Sequence, residues 1–438
     1  MLKIGFIHPS NKYNYDRFRN PPLVELYLLT IIERHFQEKV GLSLIDLRGI
    51  EDKYIFYHIP EKDVYLYSIS TPDFPEFYNI LTNLRSLYPS AKHIAGGPHI
   101  NIFPERCNTL FDAIVLGEGE ESIIKVIGDI LNLRLKPVYR QEQYIDLNLY
   151  PYPDRKYLPK TTIVGTGILP GENYNLLGTE AVFSRGCPGN CYFCANKKLT
   201  FGPVRFRSPE LVTEEIEYLK REYGIKALMI RDDHAIPSNH NDAIRHLEAI
   251  RKISIKWRGL VRANSILDKN MDIVELLKES GCIGLGIGIE SVSPRVLKLV
   301  NKGINLDRTI KFIKLLGDIG IGIRLNLIMG LPGEPDDIVK QTLKFIDETN
   351  PVSVMLSILC PMPGSEMFDN PDKFGIVIDT TDWEKYHVIF GRFDPSELPK
   401  MVFHYKDDCP WGKGNNREKI LQNYIELQTN LRDRKLIF

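Results

Sequence analysis

The feature that most constrains this chain is an alternation of strand and helix patterns that runs twice. In residues 1–140, short apolar strands at Leu2–His8, Leu42–Leu47, Asp63–Ser68, His93–Ala95 and Asp112–Leu116 alternate with helices. The helices are read at Pro21–Phe36, at Phe77–Leu87 and in a stretch ending at Leu131. Repeated strand–helix units with short turns predict a parallel sheet covered by helices. A second series has strands at Ala181–Ser184, Ala227–Arg231, Lys256–Arg262, Gly284–Glu290, Ile323–Met329 and Ser353–Leu359. Six repeats in about 185 residues predict an incomplete β/α barrel, short of the usual eight. Residues 141–178, rich in Tyr and Pro, read as a linker. Residues 366–438 read as a small α-rich extension with a final helix over Arg417–Arg432. The fold class is α/β, with domains at 1–140, 179–365 and 366–438 around that linker.

At 438 residues the chain needs two or three domains. Lys+Arg and Asp+Glu number 56 each, which excludes a generally basic nucleic-acid binder. No apolar run reaches bilayer length and no signal peptide opens the chain, so a cytoplasmic, membrane-free protein is expected. Seven cysteines without an export signal point to metal binding or catalysis rather than a disulfide framework.

Three of those cysteines lie in Cys187-Pro188-Gly189-Asn190-Cys191-Tyr192-Phe193-Cys194, directly after the first barrel strand. Soft thiolates suit iron–sulfur clusters or zinc. Structural zinc takes four protein ligands, and no Cys or His lies between Cys194 and His234. Three ligands on a four-iron cluster leave one iron open for chemistry. A C-x3-C-x2-C triplet after the first strand of a six-repeat barrel resembles the radical S-adenosylmethionine (SAM) superfamily. The resemblance implies a 4Fe–4S cluster on Cys187, Cys191 and Cys194, whose open iron chelates SAM, and a 5′-deoxyadenosyl radical. Phe193 matches the aromatic usual before the third cysteine.

Supporting motifs fall at strand ends, where barrel enzymes place their chemistry. Asp232, in Arg231-Asp232-Asp233, stands where the family often has a Gly-Gly-Glu contact to the methionine amino group, and departs from that pattern. Arg262 is placed to pair with the cofactor carboxylate. Glu290 and Ser291 resemble the ribose- or methionine-binding stretch, continued by Asn301-Lys302-Gly303. Asn326 and Gly330, in the run to Glu334, resemble the adenine cradle. Of the other cysteines, Cys107 and Cys282 read as packing residues. Cys360 adjoins the sixth-strand end. Cys409 stays open between an incidental surface-loop or packed cysteine, a substrate contact, a radical-quenching thiol and a fourth cluster ligand.

The N-terminal half has neither G-x-G-x-x-G nor G-x-x-x-x-G-K-[ST], which disfavours dinucleotides and nucleoside triphosphates. Its Ser68, Ser70 and Thr71, its Gly96 and Gly97, and its Gly117 and Glu118 follow successive strands. This set resembles the Rossmann-like cobalamin-binding domain fused ahead of many radical SAM enzymes. Small residues there would let the cofactor's tail thread between helix and sheet. His8 lacks the D-x-H-x-x-G context of a lower-axial ligand.

The resemblance implies a cobalamin-dependent C-methyltransferase. A methyl group passes from methylcobalamin to an unactivated carbon after the radical removes hydrogen. An external electron donor such as ferredoxin or flavodoxin is implied, and a monomer is expected. A non-methylating cyclase or rearrangement enzyme of the same architecture is the alternative. Methylthio transfer to transfer RNA is disfavoured, because residues 1–150 hold only Cys107. A non-catalytic metal-binding or sensor module would not need the open-iron triplet. Balanced charge leans toward a peptide, protein side chain or small soluble substrate.

Overall fold

The computed structural model describes residues 1–14, 16–18, 20–200, 202–263, 271–386 and 401–437, which fall into two compact units. The first is Met1–Ile163 with short segments beginning at Lys198 and Asp382, and the second holds the rest. The stretch 141–178 therefore divides between Ile163 and Val164.

The first unit is a six-stranded, wholly parallel sheet of β1 (Leu2–His8), β2 (Val40–Asp46), β3 (Val64–Ser68), β4 (Lys92–Gly96), β5 (Ala113–Leu116) and β6 (Val138–Arg140). The strand order is β2-β1-β3-β4-β5-β6. Burial on both faces explains why β3 and β5 read as continuous apolar runs. The order reverses between β1 and β3, and the crevice at such a switch point is where open α/β sheets bind ligands. The first helix runs from Leu23 rather than Pro21, because Pro22 is its N-cap with ψ 68°, outside the helical range.

The second unit begins with β7 (Gly178–Ala181), earlier than the expected Ala181–Ser184. Ser184–Arg185 instead forms β8, paired antiparallel with β9 (Arg205–Phe206). The cysteine loop is thus held at its base by a two-stranded ribbon. Then follow β10 (Ala227–Ile230), β11 (Lys256–Arg262), β12 (Cys282–Glu290), β13 (Gly322–Met329) and β14 (Ser353–Ile358). Together with β7 they form a parallel sheet in sequential order, a half-barrel. On β13 the buried Ile323, Leu325, Leu327 and Met329 face the helices, while Gly322, Arg324, Asn326 and Ile328 point to the inner face.

The C-terminal part contains a short antiparallel pair, β15 (Ile376–Ile378) with β16 (Phe403–Tyr405), besides the final helix Arg417–Asp433. Ile420, Tyr424, Leu427 and Leu431 of that helix enter the core of the second unit.

Candidate active site

The cysteine loop is fixed by backbone and side-chain contacts. Tyr192 N–H donates to Val300 C=O at 3.0 Å, Met367 N–H to Tyr192 C=O at 3.0 Å, and Asn301 Nδ2 to Asn190 C=O at 2.8 Å. Cys187 and Cys191 are half-buried and Cys194 is exposed. Gly189 N–H points at Cys187 Sγ and Asn196 N–H at Cys194 Sγ, each at 3.5 Å. At Cys194 the Asn196 N–H opposes burial, which pushes the thiol up to about 11. Phe193 is half-buried against the core. Among the described residues, no three Cys, His, Asp or Glu side chains surround a point that one metal ion could occupy.

Arg262, at the end of β11, reaches this loop. Its Nη1 lies 3.6 Å from Cys191 Sγ and 4.0 Å from Cys187 Sγ, and its Nη2 donates to Lys302 C=O at 2.8 Å. A side chain on Gly189 would overlap the guanidinium, which is why that position is glycine. Glu290 ends β12 with φ +67°, beside a register shift between Gly288 and Glu290. Such bulges re-aim side chains next to active sites. Its carboxylate pairs with Lys302 Nζ at 2.8 Å, both largely buried. Asn326 keeps a buried amide oxygen without a partner, on the rung of Gly288. Ser291 is buried, its Oγ accepting Ser293 N–H at 3.3 Å.

Asp232 is turned away from the cysteines. It accepts Phe183 N–H at 2.8 Å, and burial pushes its carboxyl up to about 7 against the Phe183 and Ser184 donors. Its neighbour Asp233 meets Asn196 Nδ2, two residues past Cys194. The pattern Arg231-Asp232-Asp233 did not tell these two apart.

The Gly330–Leu331 backbone after β13 is held by side chains. Glu334 accepts Gly330 N–H at 3.0 Å on both oxygens and Leu331 N–H at 3.2 Å. Tyr405 Oη donates to Gly330 C=O at 2.8 Å, and Asn415 Nδ2 to Leu331 C=O at 3.1 Å. Gly330 and Gly333 have φ +83° and +79°. The C-terminal segment therefore clamps this loop, a role no local motif signals. Cys360 adjoins Met362, while Cys409 packs against Gly375. Cys107 and Cys282 are buried.

In the first unit the expected loops cluster at the carboxyl edge of the sheet. Gly97 (φ +97°) lies so close to Ile69 that a Cβ would sit 2.6 Å from its backbone N, and a Cβ on Gly117 (φ +89°) would sit 2.8 Å from Gln141 O. These glycines serve the close approach of neighbouring loops. A Cβ on Gly96 would make only ordinary contacts. Ser70 Oγ donates to Asp73, Thr71 Oγ1 lies 3.3 Å from His99 Nδ1, and Glu118 accepts Ile145 N–H at 2.8 Å. Ser68 ends β3 on the rung of Gly96. At the switch point the structure adds a buried polar cluster. His8 Nδ1 meets Glu25 Oε1 at 2.7 Å, and Glu76 accepts both N–H and Oγ–H of Ser10 at 2.8 Å. Glu25 and Glu76 sit on helices distant in sequence, and only the fold aligns them with His8 and Ser10.

Residues 181–346 match the Radical SAM superfamily. An uncharacterized methyltransferase of Pyrococcus horikoshii is 28% identical over 92% of this chain and 91% of its own length. The bacteriochlorophyllide d C-8(2)-methyltransferase of Chlorobaculum tepidum is 24% identical over 77% of this chain and 71% of its own. Among solved structures, the radical S-adenosylmethionine methyltransferase TsrM from Kitasatospora setae, with cobalamin and a 4Fe–4S cluster bound, superposes with a TM-score of 0.71. That match has 14% identity and covers 98% of this chain and 88% of the other. A half-barrel whose first loop carries the cysteine triplet, matched across 181–346 by the family model, makes this part of the chain a Radical SAM domain.

Proposed function

We propose that the protein is a cobalamin-dependent radical SAM C-methyltransferase acting at an unactivated carbon. The observation that carries this reading is the convergence of Arg262 and the Asn301–Lys302 segment on the cysteine loop. When bound, the cluster with SAM supplies a hydrogen-abstracting radical and cobalamin supplies the methyl group.

The residues present suit both groups. Cys187, Cys191 and Cys194 are soft donors with N–H groups aimed at two of the sulfurs. Arg262 offers a guanidinium beside them for a carboxylate. Asp233, facing the loop, is available to an amino group, and Asp232 holds the Phe183–Ser184 turn behind it. Glu290, oriented by Lys302, Ser291 behind it, and the unpartnered oxygen of Asn326 would take the polar parts of the cofactor. Gly330 is buried in its clamped loop with Ile420 filling the space beside its Cα, so it would act on the cofactor by fixing the loop's backbone. Phe193 would screen the cluster from water. In the first unit, Ser68, Ser70, Thr71, Gly96, Gly97, Gly117 and Glu118 form the carboxyl-edge loops that would hold cobalamin, beside the His8–Glu25 pair.

No helix among the described residues is long and apolar enough to cross a membrane. A cytoplasmic monomer drawing electrons from a ferredoxin or flavodoxin, and acting on a peptide, protein side chain or small molecule, completes the proposal. The test is anaerobic reconstitution of the cluster, addition of hydroxocobalamin, removal of free excess, and measurement of retained cobalt. Stoichiometric retention, followed by paired S-adenosylhomocysteine and 5′-deoxyadenosine in a substrate screen, is expected. An intact cluster that makes 5′-deoxyadenosine but retains no cobalamin refutes the proposal.

A further inference from the structure

The inner face of the half-barrel carries more positive charge than the one carboxylate described beside it can balance. Alternation along β11 puts Trp257 and Val261 against the helices and Arg258, Leu260 and Arg262 on the inner face. On β13 the same rule turns Arg324 inward. Between them β12 presents Gly284 and Gly286, which pair with Arg258 and Arg324 respectively. A Cβ on Gly286 would lie 2.5 Å from Leu260 Cδ2 and 3.1 Å from Arg324 Nη2, so the missing side chain leaves room for both. Two inter-strand spacings and a two-residue offset put the two arginine backbones about 12 Å apart, within the reach of both side chains to one group.

Neither arginine has an ion pair or hydrogen bond among the described residues, and the Nε of each is buried without a partner. Arg231, immediately after β10, is the third cation. The nearby carboxylate is Glu180 on β7, 3.6 Å from Arg231. Burial, and then repulsion from Arg324, pulls Arg258 down to about 10. Arginines are rarely buried unless paired. Three guanidiniums facing one carboxylate make a preorganised oxyanion receptor, because the planar fork matches carboxylate and phosphate oxygens. Arg324 and Arg258 lie two and four residues deeper than the Arg262–Gly288 rung, about 7 and 13 Å below it. That depth separates them from Arg262, the cation already beside the cluster loop.

We propose that Arg258 and Arg324, with Arg231 beside them, bind a carboxylate or phosphate-type group of the substrate inside the half-barrel. The proposal rests on the methyltransferase reading for the identity of the ligand as substrate. It makes the substrate an organic anion, with its oxyanion end deep in the barrel and its reacting carbon toward the cluster.

The test uses the full chain with reconstituted cluster and SAM, at constant ionic strength. Thermal stability is titrated with inorganic phosphate and, separately, with acetate. Saturable stabilisation by one of the two is expected, and which one distinguishes a phosphate-type from a carboxylate ligand. Arg324→Gln and Arg258→Gln should each weaken the apparent affinity about tenfold or more, as loss of a charge-assisted pair does. Arg324→Lys should recover part of it. Each variant should form 5′-deoxyadenosine from SAM at the wild-type rate without substrate. An absent anion response, or one unchanged in both Gln variants, overturns the proposal. So does loss of 5′-deoxyadenosine formation in the variants alone, which would assign the arginines to the cofactor. A wild-type protein that makes no 5′-deoxyadenosine, yet binds the anion through these arginines, overturns the methyltransferase reading and leaves the anion site standing.

Discussion

Replacing Glu334 with alanine tests whether the loop after β13 is held from behind. The buried carboxyl takes Gly330 N–H and Leu331 N–H, which have no other acceptor among the described residues. Each buried N–H left without an acceptor costs about 1–3 kcal/mol, so Glu334→Ala should cost about 2–6 kcal/mol. In a unit of this size that lowers the melting temperature by roughly 10 °C. Trp257 and Trp411, both in the second unit, report the transition by fluorescence. A second arm uses pH. Burial pushes the Glu334 carboxyl up to about 8, opposed by the Gly330 and Leu331 donors. In the unfolded chain a glutamate titrates near pH ~4.3, so across this window the folded state binds more protons. Stability therefore falls as pH rises from about 4.3 through about 8, by at most ~1.4 kcal/mol per pH unit. Glu334→Gln, which cannot ionise, should remove that slope. The reasoning is refuted if Glu334→Ala melts within about 1 °C of wild type. It is refuted equally if wild type and Glu334→Gln share one pH profile.

Three other substitutions probe separate links. Lys302→Ala strands the buried Glu290 carboxylate and should cost about 3–5 kcal/mol in urea unfolding, whereas an unchanged midpoint would mean the pair is solvated. Cys191→Ser should lower retained iron at least several-fold after anaerobic reconstitution, and full iron retention would rule out this thiolate as a ligand. Gly97→Ala forces a side chain onto Ile69 at φ +97° and should destabilise the first unit by about 1–3 kcal/mol, with retained cobalamin falling in parallel. A variant as stable as wild type would show that the two loops have room to part.

Much of the architecture was legible because parallel sheets announce themselves. Strands buried on both faces read as apolar runs, and β3, β5, β10 and β13 lie within two residues of where the pattern put them. The first barrel strand was misplaced by about three residues because Ala181–Ser184 is apolar enough to read as strand. In fact its second half leaves the barrel sheet to make the ribbon with Arg205–Phe206. Asp232 and Asp233 are equivalent in sequence. Only the turn at the end of β10 sends one to the Phe183 backbone and the other to Asn196.

The cysteine triplet, its place after a strand, and the order of the strand-end motifs are local properties, set by spacings of a few residues. The sequence by itself determined these, and with them the chemistry the chain is equipped for. What tertiary structure alone decided are partnerships across long separations. Tyr405 and Asn415 close on Gly330 and Leu331 from more than 70 residues away. Glu25 and Glu76 reach His8 and Ser10, and Arg258 and Arg324 share the inner face of one half-barrel. Each such pairing depends on which strand neighbours which and on which face a side chain falls, and neither is fixed until the sheet has closed.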